Sequence, residues 1–432
     1  MLTAPIPLLE TAHALRHDEI DLPTYINQTC DYIDTIEPHV HALLPEPDRR
    51  ARLLAEARAL QARLPRPADR PPLYGVLLGV KDVFAVDGFP TRAGSQLPPE
   101  LFEQPEAVSV TRLREAGALI LGKTVSTEFA WFEPGPTRNP LNLQHTPGGS
   151  SSGSAAAVAA GFCPLAMGTQ TVGSVIRPAA FCGVVGFKPS YGRIPTSGVV
   201  PCASSLDTVG FFTQDVAGIA LVASLLCENW QNREVPDKPV LGVPDGPYLA
   251  QASPETLKAF ETQLAQLEQV GYQIRHIPML NDIETIQQQH MRLVFAEMAL
   301  QHRAWFAQYE SLYRPRTVSA IREGQQVSPQ ALEEARAGRV KLRETLEYTM
   351  HQHGIDVWIS PAAPGTAPEG ITTTGSPAMN LPWTYAGLPA ITVPVGTDSN
   401  NLPLGLQCIG ACMADETLLA WTQPLQQAFS HK

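Results

Sequence analysis

Short apolar runs recur along this 432-residue chain between longer segments whose apolar residues follow helical spacing, and this alternation limits the fold more than any other feature. Gly75-Val-Leu-Leu-Gly-Val-Lys81, Ala118-Leu-Ile-Leu121, Val184 to Lys188, a run near Val240, Val357-Trp-Ile359, Ala390 to Val395 and Leu404 to Ile409 read as strands. Several are apolar throughout, as strands covered on both faces are. Between them, residues 7–64 predict two or three helices, with Ala51, Leu53, Leu54, Ala57, Leu60 and Leu64 on one face. Helical patterns follow over Val108 to Ala116, Ser154 to Ala160, Asp215 to Leu226, Pro254 to Val270, the stretch 283–353 and Asp415 to Phe429. Strands and helices in this order predict an α/β architecture, with helices on both faces of a largely parallel or mixed sheet.

Hydrophobic residues make up 44% of the chain and charged residues 17%, enough apolar material for a large core and too little charge for disorder. Acidic residues outnumber basic ones by 42 to 31, a formal net charge of −11, so there is no cationic surplus for phosphates or anionic lipid. The expectation is therefore neither a nucleic-acid nor a membrane partner. No run of about 18 apolar residues occurs and the first residues lack the pattern of a secretory signal, which predicts a soluble, cytoplasmic protein. Seven scattered cysteines (30, 163, 182, 202, 227, 408 and 412) read as buried thiols. The eleven histidines show no metal-ligand spacing, and no metal site is expected.

Two motif matches fail on physical context. Gly117-Ala-Leu-Ile-Leu-Gly122-Lys123-Thr124 fits a phosphate-binding loop by its letters, but its interior is apolar and belongs in a strand. Gly149-Ser-Ser151-Ser-Gly153 fits a nucleophile elbow, yet the turn-rich stretch from Asn139 to Pro147 stands where that elbow needs a strand. The serine cluster has its own character: Pro147-Gly-Gly-Ser-Ser-Ser-Gly-Ser-Ala-Ala-Ala-Val-Ala-Ala-Gly161 is a glycine-rich loop feeding a helix. Ser152 or Ser154 is expected to cap that helix, which leaves three further hydroxyls beside its amides. Two more segments share this density of small and polar residues: Gly79-Val-Lys81-Asp82, and Gly168-Thr-Gln-Thr-Val-Gly-Ser174-Val-Ile-Arg177-Pro178.

Together with Leu121-Gly-Lys-Thr, Phe181 to Pro189, Gly198 to Gly210 and Asn380 to Gly396, these segments resemble the amidase signature family over most of residues 70–230 and 355–428. The resemblance implies that family's fold, one large mixed and mostly parallel sheet sandwiched by helices. It also implies one domain over 1–432, with N-terminal helices to 65, the signature core at 70–230, a helical variable substrate region at 231–354 and a return to the core sheet at 355–432. It places the nucleophile at Ser174, a bridging serine on a cis peptide at Ser150 and the proton-accepting lysine at Lys81. The oxyanion hole falls on the amides of Thr171, Val172, Gly173 and Ser174, with Gly149, Ser151, Gln170 and Arg177 supporting or binding substrate. Three positions depart from the family's commoner form: Val172 replaces a glycine, Gln170 replaces an aspartate, and Arg177 stands three residues after the serine instead of two. Arg177 either supports the loop or meets a substrate carboxylate.

The residue types suit acyl transfer. A serine hydroxyl needs a base within reach, and a lysine serves once burial lowers its pKa. The implied activity is hydrolysis of an amide, anilide or carbamate (a urethanase-like reaction) through an acyl-enzyme, with esterase activity beside it and no cofactor. The implied partner is a small-molecule amide or carbamate, acted on by a monomer or homodimer. An amidase-like subunit of a tRNA-dependent glutamine amidotransferase, passing ammonia to a partner, is the alternative. The short chain, the Gln170/Val172 variant and the lack of basic patches weigh against it. Substrate walls are expected from 125–145, 290–330 and 363–385, with Trp131, Phe132, Trp305, Tyr313, Trp383 and Tyr385 as aromatic candidates.

Overall fold

A computed structural model describes residues 2–4, 6–235 and 237–429; the ends of the expected 1–432 domain lie outside the described residues. The apolar runs become strands of one sheet: β1 (Leu77–Lys81), β2 (Leu119–Thr124), β3 (Leu165–Gln170), β4 (Val185–Lys188), β5 (Thr208–Thr213), β6 (Val240–Asp245), β7 (Gln273–Pro278), β8 (Val357–Pro361), β9 (Ala390–Thr397) and β10 (Pro403–Ile409). Their order across the sheet is β2-β1-β3-β5-β4-β9-β10-β8-β6-β7. Pairing is parallel towards the two edges, in β2–β1, β1–β3, β8–β6 and β6–β7. It is antiparallel through the centre, from β3 to β8. The expected α/β fold with one large mixed sheet between helices is what the chain forms.

The helices are α1 (Leu8–Arg16), α2 (Leu22–Val40), α3 (Arg49–Arg63), α4 (Val108–Glu115), α5 (Ser152–Ala160), α6 (Ile176–Cys182), α7 (Val216–Leu226), α8 (Pro254–Gln269), α9 (Ile283–Gln301), α10 (Arg303–Tyr309), α11 (Pro315–Gly324), α12 (Pro329–His353), α13 (Leu381–Ala386) and α14 (Asp415–Gln427). Among the described residues, no helix is long and apolar enough to cross a membrane. The run 117–124 contributes β2, as its apolar interior requires. Three strands are not among the expected runs. β7 carries Gln273, Arg275 and His276 at the sheet edge and buries only Ile277, so it lacks the apolar run of a covered strand. β3 contains Gly168, Thr169 and Gln170, and its polar end disguises a fully buried strand. β5 is equally buried, but a threonine at each end and Gly210 inside it leave only Val209, Phe211 and Phe212 to mark it.

α5 and α6 lie at the centre of the molecule. Every residue of α5 is buried, and its alanines allow the close packing against β1 and β3 that a larger side chain would prevent. α6 packs on β4, β9 and β10 over a seat made of glycines. A Cβ at Gly186 would lie 2.6 Å from the Cβ of Ala179, and one at Gly405 would lie 2.7 Å from the Cβ of Ala180. These strand glycines let the helix backbone approach the sheet, and so set the position of the turn that precedes α6. On α7 and α14, by contrast, ordinary apolar side chains such as Ile219, Val222, Leu418 and Leu425 fill the space against β4, β5 and β9.

Gly186→Val should push α6 off its seat. We expect a loss of about 1–3 kcal/mol in unfolding free energy by chemical denaturation.

Candidate functional site

Lys81 ends β1 and is fully buried. Its Nζ donates to Ser150 Oγ at 2.7 Å and to Thr169 Oγ1 at 2.8 Å. Burial lowers its pKa from 10.5 to about 7, outweighing the smaller opposing effects of Cys202 and Asp207. The neighbouring carboxylate does not rescue the charge. Asp82 turns instead to Lys123, 2.9 Å away on the adjoining strand, and Lys123 also donates to Phe84 O and Thr91 Oγ1. Two lysines at neighbouring strand ends therefore meet opposite surroundings: Lys123 has a carboxylate, whereas the hydrogen-bond partners of Lys81 are hydroxyls.

Ser150 follows a cis peptide bond from Gly149, as the resemblance implies. The four loop serines divide their work. Ser151 Oγ donates to Thr169 O and accepts from Thr169 N, both at 3.3 Å, tying the loop to β3. Ser152 Oγ donates to Gly148 O (2.8 Å) and Ser154 Oγ to Met167 O (2.7 Å). The expectation that Ser152 or Ser154 caps α5 is therefore corrected: Ser151 holds the cap position and makes no side-chain cap bond. Ser152 turns back to a carbonyl of its own loop and Ser154 reaches one on β3, and these bonds take the place of the cap. Gly149 has no room for a side chain, since a Cβ there would meet Thr374 Cγ2 at 2.8 Å and Ser152 Oγ at 2.9 Å.

Arg177, in the first turn of α6, is also buried. It donates to Gly149 O at 2.7 Å and to Thr374 Oγ1 at 3.2 Å, and its guanidinium lies 5.7 Å from the ring centre of Phe132. Desolvation lowers its pKa to about 9. Arg177 thus joins the serine loop to the 366–376 segment.

Between β3 and α6 the chain makes the turn that carries Ser174. Gln170 spans it: Oε1 accepts from Val175 N (2.8 Å) and Ile176 N (3.0 Å), and Nε2 donates to Thr384 Oγ1 (2.8 Å). An aspartate is too short for all three contacts. Thr171 Oγ1 donates to Asp207 Oδ1 at 2.5 Å, and the other oxygen of that carboxylate accepts from Cys202 N and Ala203 N. Burial raises the pKa of Asp207 to about 6, against the hydrogen bonds that lower it. Thr384 Oγ1 donates to Val172 O at 2.7 Å, and His290 Nε2 lies 3.0 Å from Thr171 O. Among the described residues, the amides of Thr171, Val172, Gly173 and Ser174 meet no acceptor. Ser174 is 6% exposed, and its hydroxyl makes no hydrogen bond to Ser150 or Lys81 in this structure.

The structure thus puts Lys81 and Ser150 in direct contact, with Thr169, just before the Ser174 turn, bonded to Lys81 and Ser151, and Arg177, just after it, bonded to Gly149. Thr169, Asp207, His290 and Thr384 are absent from the sequence-based set. Thr169, Asp207 and Thr384 lie within stretches that carry the resemblance, and nothing local marks them as partners of Lys81, Thr171 and Val172. Of the aromatic candidates, Phe132 lies against Arg177 and Tyr385 stacks on His290 at 5.4 Å. Trp383 bonds Tyr248 in the core, while Trp305 and Tyr313 pack with Phe129 and His302.

The profile of the Amidase family matches residues 24–419. A glutamyl-tRNA(Gln) amidotransferase subunit of Oleidesulfovibrio alaskensis is 32% identical over 97% of this chain and 96% of its own length. A solved amidase is 32% identical, with a TM-score of 0.88 over 98% of this chain and 100% of that one. The peptide amidase of Stenotrophomonas maltophilia is 25% identical, with a TM-score of 0.83 over 99% and 97%. The first of these overturns the expectation of no nucleic-acid partner and a monomer or homodimer, because that relative is by its name one subunit of an assembly acting with a tRNA. Net charge misled here because it averages over a whole surface, whereas a contact needs only one patch, and a neighbouring subunit can supply it. With the profile spanning nearly the whole chain and the amidase fold reproduced from end to end, the protein belongs to the amidase signature family.

Proposed function

We propose that this hydrolase opens a carboxylic C–N bond by acyl transfer to Ser174, with Ser150 and Lys81 as the proton relay. One observation carries the reading: a fully buried lysine, bonded to a serine hydroxyl and to no carboxylate, has its pKa lowered to about 7. At that value a large fraction is neutral at physiological pH and able to accept a proton. Ser174 Oγ attacks the substrate carbonyl while its proton passes through Ser150 to Lys81. The tetrahedral oxyanion meets the free amides of the 171–174 turn, each such donor being worth about 3 to 4 kcal/mol in the transition state. Collapse breaks the C–N bond, and the proton returns through Ser150 to the departing amine. Water then repeats the sequence on the acyl-enzyme.

For the substrate, the relatives' name supports the side-chain amide of glutamine, with the freed ammonia passed on within an amidotransferase of which this chain is one subunit. A second reading is an amidase that also accepts carbamates and esters. It is supported by the likeness to the solved amidase over the full length of both chains and by the Val172 and Arg177 variants at the turn.

Ammonia release from glutamine, measured beside cleavage of an anilide, an aryl carbamate and an aryl ester of matched acyl bulk, separates the two. Glutamine turnover that rises with partner subunits supports the amidotransferase, and cleavage of the other three with glutamine untouched supports the amidase. Ser174→Ala and Lys81→Ala should each lower kcat by about a thousandfold or more on whichever substrate is cleaved. Retained turnover in the serine variant would remove the mechanism. The rate should fall as pH drops below about 7, as Lys81 becomes protonated. Because the folded pKa lies below the ordinary 10.5, the unfolded chain binds more protons between those values. Lys81 therefore makes stability rise with pH across about 7 to 10.5, and Lys81→Met should flatten that slope in denaturant titrations.

A further inference from the structure

Three consecutive carbonyls at the Ser174 turn are each held by a different donor. Thr171 O faces His290 Nε2 (3.0 Å) from α9, Val172 O accepts from Thr384 Oγ1 (2.7 Å) on α13, and Gly173 O accepts from Arg177 N (3.0 Å) in the first turn of α6. A trans peptide is planar, with its N–H opposed to its C=O, so fixing the carbonyl also aims the amide of the following residue. The three amides aimed in this way are those of Val172, Gly173 and Ser174, and among the described residues none has an acceptor. The third donor belongs to the helix that follows any such turn. The first two come from side chains more than a hundred residues further along the chain, and nothing local calls for them.

We infer that His290 and Thr384 are positioning residues for the oxyanion turn: by donating to the carbonyls of Thr171 and Val172, they fix and polarise the peptide groups whose N–H bonds receive the negative charge. This deepens the acyl-transfer reading and rests on Ser174 as nucleophile. A hydrogen bond accepted at the carbonyl draws electron density from the same peptide's nitrogen and strengthens its N–H as a donor. The orientation of both side chains is itself fixed. Gln170 Nε2 donates to Thr384 Oγ1, which leaves the hydroxyl proton for Val172 O (2.7 Å) or the more distant Asn380 O (3.1 Å). His290 is fully buried, stacked on Tyr385, with Nδ1 3.2 Å from Leu381 O. Burial lowers its pKa to about 4, so the ring is neutral and carries one proton. We assign that proton to Nε2, which makes the shorter contact. α13 also lies close beneath the turn: a Cβ at Gly173 would come within 2.5 Å of Asn380 Oδ1.

The test needs no knowledge of the natural substrate. An alkyl fluorophosphonate reacts with an activated serine by forming an O–P bond and breaking the P–F bond; the serine proton leaves through the relay and the phosphoryl oxygen takes the oxyanion position. The rate of labelling of Ser174, located by peptide mass, is measured on the full chain for wild type and for Thr384→Val, Thr384→Ser, His290→Leu, His290→Gln and Ser174→Ala. Serine keeps the hydroxyl of Thr384, and the glutamine amide keeps a donor near the place of Nε2. Thr384→Val and His290→Leu should be slower by about tenfold or more, while Thr384→Ser and His290→Gln stay within about threefold of wild type. Equal rates for Val and Ser at 384 and for Leu and Gln at 290, whether all fast or all slow, overturn the inference, since packing alone then accounts for these residues. Failure of the underlying reading looks different: wild type is not labelled at Ser174, or Ser174→Ala is labelled as fast as wild type, and the inference falls with it.

Discussion

A fully buried lysine whose hydrogen-bond partners are hydroxyls and not carboxylates is the constraint around which the rest of the molecule is arranged. Lys81 reaches that position at the end of β1, which lies next to the edge strand, flanked by β2 and β3 and packed against α5. Its nearest sequence neighbour with a negative charge, Asp82, is held away by Lys123. Had Asp82 turned inwards, the pair would have kept Lys81 protonated and removed the proposed base. The buried ion pair beside the site therefore has a role apart from stability, which buried pairs seldom supply on balance.

The second constraint is backbone placement. Turns are ordinarily soft, yet the one from Gln170 to Ile176 is held from every side: Asp207 grips Thr171, the Gln170 side chain spans the loop, and α6 is lowered onto a seat of glycines. Preorganisation of this kind is what gives an oxyanion hole its value, because the donors need not reorient when charge develops. The segments expected to wall the site follow a different rule. Glu128 and Glu133 accept from Arg314 N and Arg316 N at the start of α11, and Arg316 reaches Phe132 O and Thr372 O, so the outer segments are joined by polar bonds between loops. Such joints tolerate change in length and composition better than a packed core does.

Much of this was legible in the sequence where apolar period and composition act locally. The α/β alternation, β1, β2, the N-terminal helices and the serine loop all follow from runs of a few residues. Failures came where tertiary contacts override local chemistry. Ser154 turned its hydroxyl to Met167 O on β3 and Ser152 to Gly148 O in its own loop, which left the helix uncapped by a side chain. β3 has no apolar run to mark it because half of it is polar, with Thr169 bonded to Lys81 and Ser151. His290 and Thr384 carry no signal of their own in sequence, since what distinguishes them is the pair of carbonyls brought to them by an element folded from another part of the chain. The partner expectation failed for a further reason: an average property, net charge, was asked to exclude a local contact.

The contacts at the turn join residues 171 and 172 to residues 290 and 384, across sequence separations of 119 and 212. A chain emerging from the ribosome has its serine, its lysine and its first strands long before α13 exists. During that interval the turn lacks the side chains that hold its carbonyls. Long-range contacts form late because the loop they close must first be ordered. Under the proposed mechanism the nucleophile is therefore made early, and the side chains that hold its oxyanion turn arrive last.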